Sequence, residues 1–275
     1  CRELGGEPKV ILQGDGGDEI FGGYHRYSLL RSPVATSRLA AAAGPLSRIV
    51  PRRGRFRRGG RVLEILGQPT SAHRAALFMT SESPSQPPLR ILSGEASRRC
   101  EQFDPFQEYI AQDERLAMLD PVQRMLFTDT QILLPNIYLE KVDRPTMANS
   151  MEVRVPLLDN EIVDYAMPLP SDLKVRRGEK KYLLRQALRG VVPDRILDAP
   201  KTGFSVPESY WLQTSLSGYM REVLLDRSAG DRGLFDQSTV TTLIDRHVAG
   251  DTGNGPLLWN TLNLALWLER YRPTL

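Results

Sequence analysis

Cysteine and histidine are scarce in this chain. Of 275 residues only two are cysteines, Cys1 and Cys100, and three are histidines, His25, His73 and His247. The two cysteines form neither a disulfide framework nor a metal pattern, which fits a reducing cytoplasm. The histidines lack metal-ligand spacing, and His25, inside GGYHRY, reads as a helix-surface residue rather than an acid–base catalyst. No apolar run approaches the roughly 20 residues that cross a bilayer, and no signal peptide is visible, so no membrane partner is expected. Charge of one sign is not in excess either: 36 Lys and Arg against 33 Asp and Glu leave a net +3, and the whole-protein field singles out no class of partner. The first residue is Cys rather than Met. An N-terminal cysteine can act as a nucleophile with its own amine as base, but Arg2-Glu3-Leu4-Gly5 offers no apolar strand to seat it, and a truncated start is the expectation.

What remains is the composition of an ordinary globular chain, 41% apolar and 25% charged, long enough for one large domain or two smaller ones. Residues 9–13 read as a short buried strand of a parallel sheet. Residues 14–17 form a glycine-rich turn. Asp18 is placed to cap a helix whose stripe is Ile20, Phe21, Tyr24 and Tyr27. This is one α/β unit, with its ligand side at the carboxyl end of the strand. Beyond it the chain reads mostly as helices and loops, without internal repeats. The segment RIVPRRGRFRRGGR carries seven arginines (Arg48, Arg52, Arg53, Arg55, Arg57, Arg58 and Arg61) and no acid. Residues 80–90 are a Ser- and Pro-rich loop.

Asp120-Pro121 is a strong helix start. Val122, Met125, Leu126, Ile132 and Leu133 then share one face of a helical run over 120–144. Asp129 falls on that same face, so it is either buried and paired or marks a kink. A further helix opens after Gly178, with Lys181, Arg185 and Arg189 as a basic line, Leu184, Ala187, Leu188 and Val191 as the core line, and Pro193 as its stop. The last helix, over 256–271, puts Trp259, Leu262 and Leu266 on one face, with Leu258 and Ala265 beside them.

Five of these stretches, in order, resemble the synthetase domain of glutamine-hydrolysing asparagine synthetases: GDGGDEIFGGYHRY, LLPNIYLEKVDRPTMANSMEVRVPLLD, GEKKYLLRQAL, PDRILDAPKTGFSVP and LWNTLNLALWLERY. The resemblance runs from residue 9 to residue 271 and implies an α/β fold of the adenine-nucleotide alpha-hydrolase (PP-loop ATP pyrophosphatase) kind with a mostly helical remainder, residues 1–275 forming a partial synthetase domain. The family's other signature, an S-G-G-x-D-S pyrophosphate loop, does not occur in this sequence, nor does its glutaminase domain. The chain alone is therefore expected to turn over little, and its first strand to expose an unpaired edge.

The resemblance also implies a chemistry. ATP adenylates the side-chain carboxylate of aspartate, and ammonia from a glutaminase site displaces AMP to give the amide. Gln13, Gly14 and Gly16 then fall at the nucleotide. Asp18 falls where a carboxylate holds Mg2+ beside phosphates, and Asp15 where the family has an acid important for the adenylate step, Glu in some members. Lys201, in APKTGFSVP, falls where a lysine neutralises the departing pyrophosphate. Asp143, Arg144 and Glu152 border the substrate pocket, while Glu152, Arg154 and Asp159 suggest a buried network that shapes it. Lys181 and Arg185 point either to the pyrophosphate side or to solvent. The full-length form is compatible with a homodimer, and no nucleic-acid partner is implied.

Two alternatives stay open. Relatives of this domain make other amides, β-lactams included, so the acceptor carboxylate is not fixed by fold. The arginine cluster could instead bind phosphate backbones, although Phe56 is the lone aromatic among those arginines, where stacking platforms need several rings.

Overall fold

A computed structural model describes residues 9–31, 57–68, 70–80, 88–200, 206–225 and 233–273. The chain divides into two compact units, one formed by Cys1–Leu39 with Glu108–Lys201, the other by Ala40–Gln107 with Thr202–Leu275.

In the first unit, strand β1 (Val10–Leu12) pairs in parallel with β2 (Glu152–Arg154), in the register Val10 to Glu152, Ile11 to Val153 and Leu12 to Arg154. The Gln13 N–H extends the ladder to the Arg154 carbonyl at 2.9 Å. The expectation of a buried strand is not met: Ile11 is half-buried, but Val10 and Leu12 are exposed, Leu12 by 69%. Among the described residues β1 has one neighbour, and the alternate face of the pair is uncovered.

The helix expected behind the turn is two helices, α1 (Gly17–Phe21) and α2 (His25–Arg31). They break at Gly22, whose φ of 76° is left-handed. Asp18 is not the cap. Gly16 takes that position, and Asp18 sits inside the first turn. Ile20, Phe21, Tyr27 and Leu30 are buried, and His25 is exposed.

Helix α3 (Pro121–Thr128) starts as its sequence dictates. The Asp120 carboxylate accepts from the Val122 and Gln123 N–H groups at 2.9 and 3.2 Å, and Pro121 needs no donor there. The run does not continue as an α-helix. Residues Asp129–Leu139 are wound as a π-helix, and α4 (Glu140–Met147) follows, three residues beyond the expected end. The chemistry at the switch is local: the Thr128 and Thr130 hydroxyls donate back to the Arg124 and Phe127 carbonyls, and Pro135 has no N–H to give. Ile132, Leu133 and Leu134 remain buried.

Helix α5 (Tyr182–Leu188) is shorter than its periodicity implies. Lys181 is not on it. It precedes the helix in a left-handed conformation, φ 53°. Leu184 and Leu188 are half-buried, whereas Ala187 and Val191 are exposed, so the core line holds at only two of its four positions.

The second unit is helical around one core. The helix Gly255–Tyr271 lays Leu257, Leu258, Leu262 and Ala265 against Met220, Leu224 and Ile244, with Trp259 and Leu266 on the rim. Each fully buried Leu or Ile adds about 2 kcal/mol. His247 is wholly buried, its Nε2 2.9 Å from the Ser209 carbonyl oxygen. Arg61, the one arginine of the cluster whose side chain is described, donates to the Leu77 and Thr80 carbonyls; Arg48, Arg52, Arg53 and Arg55 lie outside the described residues.

Candidate functional site

The turn after β1 is built tightly on one side and openly on the other. Gly16 has φ 81°, and a Cβ there would overlap the Leu158 side chain. Gly14 has nothing within 4 Å of the position a Cβ would take. Packing therefore demands glycine at Gly16 but not at Gly14, where backbone faces open space. Gln13 Nε2 donates to Asp15 Oδ2 at 2.8 Å, which holds the Asp15 carboxylate beside the open backbone.

Asp18 and Lys181 meet at this elbow, Nζ to Oδ1 3.0 Å, both half-buried. The left-handed backbone of Lys181 places it there, and its N–H lies 3.4 Å from the Gly22 carbonyl oxygen. The Gly22 and Gly23 N–H groups both donate to the Asp18 carbonyl, at 3.0 and 2.8 Å. Gly23 packs against the pair: a Cβ would overlap Asp18 Oδ1, stand 2.5 Å from Lys181 Cε and so displace both side chains. No group of three or more His, Cys, Asp or Glu able to hold a metal occurs among the described residues. A single half-buried carboxylate is nevertheless the donor set that suits Mg2+ arriving with phosphates, since that ion keeps waters and takes one or two protein carboxylates.

Behind the elbow lie two buried acids. Glu19 is 2% exposed and accepts from the Tyr24 hydroxyl at 2.5 Å. Asp129 is fully buried. Its Oδ2 accepts from Arg26 Nε and Nη2 at 3.2 and 2.8 Å and from the Tyr27 hydroxyl. Burial pushes both carboxyls above their usual range, against the pull of those donors. Burial likewise raises the Tyr24 and Tyr27 hydroxyls, with the Glu19 hydrogen bond and the Asp129 charge adding to it, so both stay protonated donors. The Tyr24 ring stacks on Tyr138 at 6.4 Å, with the Arg26 guanidinium 3.9 Å over the Tyr24 centroid and Lys141 Nζ 4.9 Å over Tyr138.

The other expected site residues are scattered. Asp143 is exposed on α4, and Arg144 pairs with Glu140 one turn earlier. Glu152 stands opposite Val10 at the amino end of β2, while the elbow lies beyond the carboxyl end. The buried network expected of Glu152, Arg154 and Asp159 is absent: Glu152 and Arg154 pair at 2.7 Å in the open, and exposed Asp159 caps the helix Asn160–Ala166. These residues face away from the apolar side of their segment, so polar chemistry needs no burial there. Arg185 lies 3.6 Å from Glu179, and Arg189 pairs with Asp194 and Asp198 at 2.9 and 3.0 Å. Lys201 lies outside the described residues. Sequence reasoning missed the Asp18–Lys181 pair and the Tyr24–Tyr138 stack. Its one usable signal was Asp129 on an apolar stripe, and that acid is both buried and at the start of the π-helix.

Comparison with known proteins agrees with the motif reading. The family model described as asparagine synthase matches residues 1–269. Asparagine synthetase [glutamine-hydrolyzing] 1 of Bacillus subtilis (strain 168) is 29% identical over 96% of this chain and 42% of its own length. A putative asparagine synthetase [glutamine-hydrolyzing] of Mycobacterium tuberculosis H37Rv is 34% identical over 97% of this chain and 40% of its own. The Gallus gallus asparagine synthetase [glutamine-hydrolyzing] is 29% identical over 53% of the chain and 28% of its own. The chain thus spans about 40% of the length of the bacterial relatives. No solved structure matches it significantly.

Proposed function

We propose, because the chain belongs to the asparagine synthase family, that the protein of which it is part converts aspartate to asparagine by adenylating the side-chain carboxylate with ATP and passing it to ammonia from a glutaminase domain. A free carboxylate is a poor electrophile, and adenylation gives it a good leaving group, AMP, which ammonia displaces. The fold in this reading is of the adenine-nucleotide alpha-hydrolase kind. The observation that carries it is the Asp18–Lys181 pair, 3.0 Å apart, at an open glycine turn beyond the carboxyl end of a parallel strand, where α/β sheets bind ligands.

Gln13 and the open backbone at Gly14 border the nucleotide, and Gly16 lets the turn close. Asp18 would hold the Mg2+ of the nucleotide, which would offset phosphate charge when bound. Lys181 pairs with the Asp18 carboxylate before ligand arrives and offers a compact cation to phosphate afterwards. Lys201 takes the same charge-neutralising role as pyrophosphate departs. Asp15, held by the Gln13 amide, accepts a proton from the attacking ammonia. Asp143, Arg144 and Glu152 border the aspartate.

The test is isotope exchange between pyrophosphate and ATP in the intact protein. The expected result is exchange that depends on aspartate and Mg2+ and is lost in Lys201→Ala and Asp18→Asn. Exchange at the wild-type rate in both variants, or exchange driven by another carboxylate and not by aspartate, would overturn this function.

A further inference from the structure

We propose that Asp129 is a positioning residue for the nucleotide elbow: from the first turn of the π-helix it grips consecutive Arg26 and Tyr27 of α2 and thereby fixes the Gly22–Gly23 joint against Asp18.

The joint abuts the ion pair. Both of its N–H groups bond to the Asp18 carbonyl, and a methyl group at Gly23 would collide with the Asp18 carboxylate and the Lys181 side chain. A shift of the joint by a fraction of an ångström therefore moves the ion pair. Two anchors hold it, one from each end of the same segment. At the start, Asp129 takes three donors from Arg26 and Tyr27. Near the end, Tyr138 stacks on Tyr24, whose hydroxyl bonds Glu19, the residue next to Asp18. Arg26 joins the two anchors, since its guanidinium lies both on Asp129 and over the Tyr24 ring.

The winding of the segment matters for this. Residues Asp129–Leu139 form i→i+5 bonds, a rare arrangement that recurs at functional sites. An α-helix turns faster per residue and would carry Tyr138 to another face relative to Asp129, so one anchor would be lost. The anchor is also not built for stability. Asp129 Oδ1 is buried with no hydrogen-bond partner, and a buried ion pair of this kind is often matched or bettered by apolar residues of similar volume. A contact that adds little to stability yet fixes a joint beside a ligand-facing ion pair is the trade found where geometry outranks stability.

The functional half of this inference rests on the nucleotide reading above; the structural half does not. The test is hydrogen exchange at the Gly22 and Gly23 amides of the full chain, alongside its affinity for Mg2+ with a non-hydrolysable ATP analogue. Four proteins are compared: wild type, Tyr27→Phe, Asp129→Asn, and the triple variant Arg26→Met, Tyr27→Phe, Asp129→Leu. The joint amides should exchange at least about tenfold faster in Asp129→Asn and the triple variant, and less so in Tyr27→Phe. The amides of Asn160–Ala166 and Gln237–Val248 should be unchanged, and analogue affinity should fall in the same order. If Asp129→Asn does not fold, the triple variant, which leaves no charge buried at this anchor, decides between the outcomes. Unchanged exchange at Gly22 and Gly23, or an equal rise at every helix, would overturn the proposal. Failure of the wild-type chain to bind the analogue would count against the nucleotide reading and leave the exchange result to judge the joint.

Discussion

Lys181, left-handed and one residue ahead of its helix, places its ammonium 3.0 Å from the Asp18 carboxylate. A half-buried pair that water still reaches adds little to stability, about 1 kcal/mol. Lys181→Met should accordingly leave the urea midpoint nearly unchanged while weakening Mg2+-nucleotide binding at least about tenfold. Equal affinity would mean that the lysine serves the fold and not a ligand.

The glycines of the turn should separate by role. Gly16→Ala forces a side chain into a left-handed site already filled by Leu158, and should cost about 2 kcal/mol or more in denaturant titrations. Gly14→Ala meets nothing within 4 Å, so the fold should stay within about 0.5 kcal/mol of wild type. Nucleotide affinity should nevertheless fall, because the added methyl occupies the open face. Undiminished affinity in folded Gly14→Ala would remove that face from the site.

Lys174 gives the chain a pH dependence. It is 1% exposed, its Nζ donates to the Met167 carbonyl at 2.9 Å, and burial pulls its pKa down to about 8, with Asp120 opposing. Between pH 8 and 10.5 the unfolded chain holds the proton that the folded chain has released. Stability therefore rises with pH across that window, by about 3 kcal/mol at most. Lys174→Met should be more stable than wild type at pH 7 and lose that rise. An unchanged slope in urea titrations at pH 7, 9 and 10.5 would contradict the assignment.

Glu19 behaves in the opposite sense. Burial raises its carboxyl above the usual range, so the folded chain holds the proton more tightly than the unfolded one. That contribution is complete below the ordinary carboxylate value and is lost as pH rises through the folded value. Glu19→Gln can still accept from Tyr24, and should match or exceed wild-type stability at pH 7 with no such advantage at pH 4. Thermal melts at the two pH values decide it.

The sequence made legible whatever depends on neighbours along the chain. Asp120 and Pro121 announce α3 and cap it as their chemistry requires. The glycine turn follows a strand, and Asp129 stands out as an acid among apolar residues. The unreadable parts depend on contacts between distant segments. A 3.6-residue period cannot tell that Asp129–Leu139 will wind more widely, nor that Arg26, Tyr27 and Tyr24 will meet its two ends from elsewhere. The same limit hid Lys181, whose periodicity put it on a helix face while its backbone turned it toward Asp18. Burial of Val10, Leu12, Glu152 and Arg154 was inferred from apolar runs, but a two-stranded pair leaves that face open.

The most direct measurement is the rate at which an acylating reagent labels the Lys181 amine, followed by peptide mass spectrometry, with and without Mg2+ and a non-hydrolysable ATP analogue. Metal and nucleotide together should protect Lys181 in the wild type, and the metal should add no protection in Asp18→Asn. Labelling of Lys181 at the same rate with and without the metal–nucleotide complex, in protein shown to bind it, would contradict a nucleotide site at the Asp18–Lys181 pair.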